Sequence, residues 1–241
     1  MNADKVEYAG KDLEAMDFAV RYHNWILEVF RPYLGKRIVE VGAGTGSFSE
    51  LLLETQPESL TLVEPSEMFE RLELAMGSRN GVARPRLHNN IFRNVAAEIK
   101  DEQRPDSIIY VNVLEHIDDD ELELEVVHDT LARGGRLFIF VPANQFLFSN
   151  FDRNIGHYRR YGKKELHQKL DAAGFRLVKS RWFDLPGVLP WLIKYRFMRS
   201  TTMGSGAVQA YDRYIVPAIR PIENLINPPI GKNLIVIAEK A

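Results

Sequence analysis

The 241-residue chain contains no cysteine, which removes disulfides, thiolate metal ligands and thiol nucleophiles together. Net charge is scarce too. Against 33 Asp and Glu stand 31 Lys and Arg, so the chain carries −2 at neutral pH and lacks the basic excess of a nucleic-acid binder. No run approaches the roughly 18 apolar residues that a membrane-spanning helix needs. The opening "MNADKVEYAGKDLEAM" is charged and has no apolar core of a secretory signal. No repeat or low-complexity tract interrupts the chain. These absences predict a soluble, cytoplasmic protein of one domain, and the 45% hydrophobic content suffices for a sizeable core at this length.

What is present is an alternation of two patterns. Short apolar, β-branched runs ("KRIVEV" 36–41, "SLTLVEP" 59–65, "DSIIYVNVL" 106–114, "RLFIFVP" 136–142) read as buried strands. Between them lie segments of helical period: "SFSELLLETQ" (47–56), "SEMFERLELAM" (66–76) with Ser66 as a candidate N-cap, and "DDDELELEVVHDTLARGG" (118–135). A further helix is predicted at 163–175, and late strands at 175–183 and 233–240. Strands separated by helices predict an α/β fold with a doubly wound, mostly parallel sheet. The whole of 1–241 reads as one domain. A helical cover occupies 1–35, core sheet 36–183 and 233–241, and an insertion before the last strand 184–232.

The chemistry begins at "EVGAGTG", where Gly42, Gly44 and Gly46 follow a strand and precede a helix. Such a turn brings backbone close to a ligand and presents free N–H groups. A phosphate-binding loop would end in Gly-Lys-Ser/Thr, and a dinucleotide fingerprint would want glycine where Ser47 stands. Glu64 ends the second strand, about 18 residues beyond Gly46, where a carboxylate can accept from both ribose hydroxyls of a nucleoside. A solvated acid at a strand end is the plainer alternative.

Taken in order, "VEVGAGTGSFSELLL", "LTLVEPSEMF", "DSIIYVNVLEHIDDD" and "LARGGRLFIFVPA" resemble four successive motifs of class I S-adenosylmethionine-dependent methyltransferases. The resemblance covers roughly residues 36 to 142. It implies a Rossmann-like sheet of seven strands with an antiparallel last strand, and S-adenosyl-L-methionine as cofactor, leaving as S-adenosyl-L-homocysteine. It also implies that the turn Glu40, Gly42, Ala43, Gly44, Gly46 borders the methionine part, that Glu64 binds the ribose, and that Met68 or Phe69 lies near the adenine. Many relatives place an aspartate on the adenine amine after the third strand; here the matching residue is Asn90, with Asn89 as its neighbour.

Ligands of open α/β sheets sit beyond the carboxyl ends of the strands. Asn112, Leu114, Glu115 and His116 fall there, with Asn112 and Leu114 beside the cofactor. His116 can take a proton from a hydroxyl or order the loop instead. The stretch "FDRNIGHYRRYGKKEL" (151–166) adds His157 as a second base candidate, with Arg159, Arg160 and Tyr161 to hold an anionic acceptor. An arginine–aspartate network fixing the loop is the competing role. "GHYRRY" also resembles bacterial methyltransferases found beside glycan and lipid-linked sugar assembly genes. Near the N-terminus, Tyr8 and Tyr22 are candidate acceptor contacts, and Trp191 is another in the insertion. Lys194, Arg196 and Arg199 interleave with apolar residues there, so the insertion is expected to be an acceptor cap, a homodimer surface or a peripheral membrane contact.

No cluster of His, Asp and Glu has metal-ligand spacing, so no metal is expected. The expected reaction is O-methylation of a small, lipid-linked or nucleotide-linked acceptor. The alternatives are N- or C-methylation, a nucleoside-binding module without chemistry, and an NAD-dependent oxidoreductase.

Overall fold

The computed structural model describes residues 19–77 and 84–241. Seven strands form one sheet: β1 (Arg37–Val41), β2 (Ser59–Val63), β3 (Arg86–His88), β4 (Ser107–Val111), β5 (Arg136–Pro142), β6 (Phe175–Phe183) and β7 (Asn233–Lys240). Their order across the sheet is β3-β2-β1-β4-β5-β7-β6. Pairs from β3 to β5 are parallel, and β7 runs antiparallel between β5 and β6. This is the Rossmann-like, doubly wound topology expected, including the reversed final strand.

Side chains of a strand alternate between faces, and here both faces are buried. Ile38, Leu60, Leu62, Ile109, Phe138 and Phe140 join one core cluster with α1 (Val20–Phe30) and α2 (Ser47–Leu53). Val39, Val41, Ile108, Tyr110, Leu137 and Ile139 join the other, with α4 (Phe92–Gln103), α5 (Asp120–Thr130) and α7 (Lys163–Ala172). Covering both faces explains why the strands read as continuous apolar runs rather than as alternating ones.

Helix α1 buries Tyr22, Trp25, Ile26, Val29 and Phe30, a stripe at helical spacing. The Trp25 ring lies 3.9 Å, centroid to centroid, from Phe183 at the end of β6, tying the N-terminal helix to the far half of the sheet. Helix α3 (Phe69–Gly77) starts three residues later than its pattern suggested; the Ser66 hydroxyl still accepts the Met68 N–H at 3.2 Å. Helix α4 was missing from the predicted elements, because only four of its twelve residues are apolar and buried. Helix α5 is shorter than 118–135 and is capped by Asp119, which accepts the Leu122 N–H at 3.1 Å.

After β5 a short helix α6 (Asn150–Asn154) precedes α7. The insertion is helical throughout most of its length. Helix α8 (Val188–Trp191) continues as a π-helical stretch to Phe197, and α9 (Ser205–Ala210) passes through a second such stretch into α10 (Val216–Leu225). Gly206 lies inside α9. No described helix is long and apolar enough to cross a membrane.

Candidate functional site

A cavity of about 570 Å³ opens beyond the carboxyl ends of β1, β2, β4 and β5. Its floor is the turn from β1 to α2. Gly42 and Ala43 donate their N–H groups to Val63 O at 2.8 and 3.2 Å, which pins the turn to β2. Gly42, Gly44 and Gly46 all have positive φ (70°, 56° and 91°). At Gly42 the need for glycine is twofold, since a Cβ there would stand 2.4 Å from Val113 Cγ2. At Gly44 a Cβ would meet nothing within 4 Å: the space over the turn is open to a ligand.

Glu64 is buried, and its carboxylate clamps the turn from the side. Oε2 accepts the Gly44 N–H at 2.8 Å and Oε1 accepts the Ser66 N–H at 2.9 Å. Each oxygen keeps a second lone pair for an incoming hydroxyl. Glu40 is also buried and accepts the Ser49 hydroxyl. Burial pushes its carboxyl up to about 8, the Ser49 bond pulls it back, and the Glu64 charge adds to the rise. A cationic ligand group beside Glu40 would restore its ionised form.

Across the cavity, Asn112 follows β4 at φ 54° and donates its N–H to Phe140 O at 2.8 Å. Leu114, Glu115 and His116 then form one 3₁₀ turn. Leu114 is buried below the cavity, its carbonyl accepting the Tyr161 hydroxyl at 3.2 Å. Glu115 and His116 border the cavity, and His157 reaches it from the loop after α6. The His116 and His157 rings meet edge to face at 4.5 Å. Burial, and then the neighbouring His157, lowers His116 to about 3. Burial also lowers His157, although Asp152 opposes the change. Burial raises Glu115 to about 8, with its own backbone N–H and then the Arg160 charge offsetting part of it.

The 151–166 segment is held by ion pairs. Arg160 is buried, with Nε and one terminal nitrogen 2.8 and 2.7 Å from Asp152 Oδ1 and its guanidinium over the Trp191 ring. The other Asp152 oxygen accepts the Ser149 N–H and hydroxyl. Burial disfavours the Asp152 charge, yet His157, Arg160 and Ser149 hold the carboxyl down at about 2. Arg159 pairs with Asp120 at 2.8 Å, and the Tyr161 hydroxyl donates to the same carboxylate at 2.8 Å. Arg160 and Trp191 border the cavity; Arg159 and Tyr161 brace the loop from behind.

The remaining expected residues are divided. Tyr22 lines the cavity and donates to Asp184 at 2.9 Å. Met68 and Asn90 lie outside the lining, and Ile91, Phe92 and Arg93 occupy that wall. The Asn90 side-chain oxygen Oδ1 accepts the Ile91 N–H at 2.9 Å and the Asn94 side-chain amide at 2.8 Å. Tyr8 lies outside the described residues.

Sequence reasoning missed the wall contributed by the chain's far end. Lys232 and Asn233, entering β7, line the cavity, and Lys232 Nζ pairs with buried Asp184 at 2.8 Å. The Tyr22, Trp191 and Tyr211 rings surround that ammonium at 5.2, 5.9 and 5.7 Å. Nothing in the local pattern around Lys232 marks it; a lysine before a strand is ordinary.

A family model described as "Methyltransferase domain" matches residues 15–180. Among solved structures, an S-adenosylmethionine-dependent methyltransferase from Archaeoglobus fulgidus superposes at TM-score 0.62 and 20% identity, over 95% of this chain and 98% of that one. A possible histamine N-methyltransferase from Thermotoga maritima gives 0.60 and 20%, over 95% of each chain. The N-methyltransferase NodS of Bradyrhizobium japonicum, solved with S-adenosyl-L-homocysteine, gives 0.58 and 14%, over 96% and 93%. No curated protein matches the sequence.

Proposed function

The chain belongs to the methyltransferase-domain family and is an S-adenosylmethionine-dependent methyltransferase; from that premise we propose that it methylates a hydroxyl oxygen of a small, lipid-linked or nucleotide-linked acceptor. The observation that carries this reading is the convergence of Glu115, His116 and His157 on the cavity that also holds the glycine turn. When bound, the cofactor supplies an electrophilic methyl group on a sulfonium sulfur, which leaves with the bonding electron pair. That chemistry asks the protein to align the acceptor, exclude water and see the acceptor's proton removed. A hydroxyl is a poor nucleophile until ionised, and these three residues of the cavity lining would assist removal of that proton. Glu64, with Glu40, Gly42, Ala43, Gly44 and Asn112, would hold the cofactor at the opposite wall. Met68 and Asn90 would contribute only from outside the cavity lining.

The acceptor enters past the insertion. Residues 184–232 carry six basic and three acidic residues, so this stretch is at +3 and the rest of the chain at −5. All three acids are buried, whereas Leu189, Phe197, Met198 and Leu225 are 62, 71, 73 and 88% exposed. A basic and apolar outer face suits an acceptor carried on an anionic membrane, with contact at the surface and no spanning segment. Within the cavity, Lys232 and Arg160 would meet an anionic group of the acceptor, beside Trp191 and Tyr22.

Of the solved neighbours, one is named an N-methyltransferase and another a possible histamine N-methyltransferase, and this favours nitrogen as the second reading. Labelled-methyl transfer to paired hydroxyl and amine acceptors, with the product sites mapped by NMR, separates the two. Label on oxygen is the expected result, and label confined to nitrogen overturns the assignment.

A further inference from the structure

Of the buried carboxylates around the cavity, Glu115 is the anomaly. Glu40, Glu64, Asp152 and Asp184 each accept at least one N–H or O–H. Glu115 is 0% exposed, and neither of its oxygens has a hydrogen-bond partner in another described residue. An unsatisfied buried carboxylate is costly and implies a group that completes it.

Two imidazoles face it. His157 Nε2 lies 3.8 Å from Glu115 Oε1, and the His116 ring stands at 80° to that of His157. One ligating atom from each of the three residues lies within 4.8 Å of the other two. Imidazoles bound to one ion at about 2.1 Å have ring centres roughly 4.5 Å apart at the 90° ligand angle of an octahedral ion and roughly 5.2 Å apart at a tetrahedral one. The observed ring separation is 4.5 Å.

The surroundings match as well. His157 Nδ1 sits 3.2 Å from Asp152 Oδ1, an outer carboxylate that selects the tautomer with a free lone pair on Nε2. Asp152 is itself fixed by Ser149 and Arg160. Arg160 is hydrogen-bonded to Asp152 and reaches Glu115 only through its charge, which leaves the Glu115 carboxylate without an ion-pair contact from a Lys or Arg side chain among the described residues.

We infer that Glu115, His116 and His157 bind one divalent transition-metal cation of the Mn²⁺, Fe²⁺ or Zn²⁺ type at the acceptor end of the cavity. Two nitrogen donors and one oxygen favour these ions over Mg²⁺ and Ca²⁺, which take oxygen ligands. Three protein ligands leave coordination positions open toward the cavity, as catalytic rather than structural sites do. In its use, the site rests on the hydroxyl-acceptor reading. A hydroxyl oxygen beside the cation keeps the O–H bonding pair and gives its proton to water, and no oxidant or reductant is needed. His116 and His157 then serve as ligands, and the cation supplies the ionising power. Sequence spacing hid the site because Glu115 and His116 are adjacent and His157 follows 41 residues after His116.

The test uses tag-free protein stripped with a chelator and titrated with Mn²⁺, followed by electron paramagnetic resonance. One equivalent should bind, with nitrogen couplings from imidazole in the spin-echo spectrum. Glu115→Gln and His157→Gln should each weaken Mn²⁺ by about tenfold or more. Affinity for S-adenosyl-L-homocysteine should stay within about threefold, which shows that both variants fold. If a variant does not fold, the wild-type nitrogen couplings decide alone, and their absence overturns the site. No saturable binding, or equal binding by the variants, also overturns it. Mn²⁺ binding with methyl transfer only to amines upholds the site and removes the hydroxyl reading. Hydroxyl methylation at full rate after chelation does the reverse.

Discussion

Replacing Glu64 by glutamine changes one charge and almost no volume. The carboxylate accepts two backbone N–H groups, from Gly44 at 2.8 Å and Ser66 at 2.9 Å, one on each oxygen. Glutamine keeps one acceptor and presents an NH₂ group to the other N–H. One buried donor is then unmet, a cost of about 1–3 kcal/mol to the fold. At this chain length that lowers the melting temperature by roughly 2–12 °C. The ligand effect is separate. Each Glu64 oxygen keeps one lone pair for a ribose hydroxyl, and losing one charged acceptor costs about 1.5–3 kcal/mol, roughly 10- to 150-fold in Kd. Calorimetry with S-adenosyl-L-homocysteine reads the second number, and a thermal melt without ligand reads the first. A Glu64→Gln protein with Kd within about threefold of wild type would refute the ribose assignment. An unchanged melt would refute the clamp.

Other expectations concern the same wall and the outer face. Gly42→Ala should destabilise by more than about 2 kcal/mol in urea unfolding, from the φ of 70° and the 2.4 Å approach to Val113; adding Val113→Ala should recover only part, since the backbone strain remains. Glu40 has a folded pKa of about 8, above its ordinary 4.5. Between those values the folded state holds a proton that the unfolded chain releases, so stability falls as pH rises from about 4.5 to about 8. Urea midpoints at several pH values should show this fall in wild type and a shallower one in Glu40→Gln; identical slopes would count against the burial argument. Cosedimentation with vesicles rich in anionic lipid should retain the wild type and release Phe197→Ser/Met198→Ser, with binding weakened by salt. Equal retention of both would remove the membrane contact.

Much of this molecule is legible along the chain because its signals are local. A β-branched run such as Arg37–Val41 followed by three glycines and the apolar spacing of Phe48, Leu51 and Leu52 depends only on strand, turn and helix periodicity. Those patterns determined the parallel sheet, and the resemblance they carry implied its reversed last strand and the cofactor. Helix α4 escaped them because its buried stripe is thin. Only tertiary structure settled which side chains share the cavity. Arg159 and Arg160 look equivalent in sequence, yet Arg160 is drawn inward onto Asp152 while Arg159 braces Asp120 from behind. Lys232 is unremarkable until α1 and the insertion bring Tyr22, Asp184 and Tyr211 around it. Glu115, His116 and His157 become one cluster because the β4 end and the loop after α6 meet above the sheet. Sequence periodicity reports which face of an element is buried. Contact between side chains 41 or 210 residues apart, as in His116–His157 and Tyr22–Lys232, depends on how those faces pack, and no local pattern encodes that.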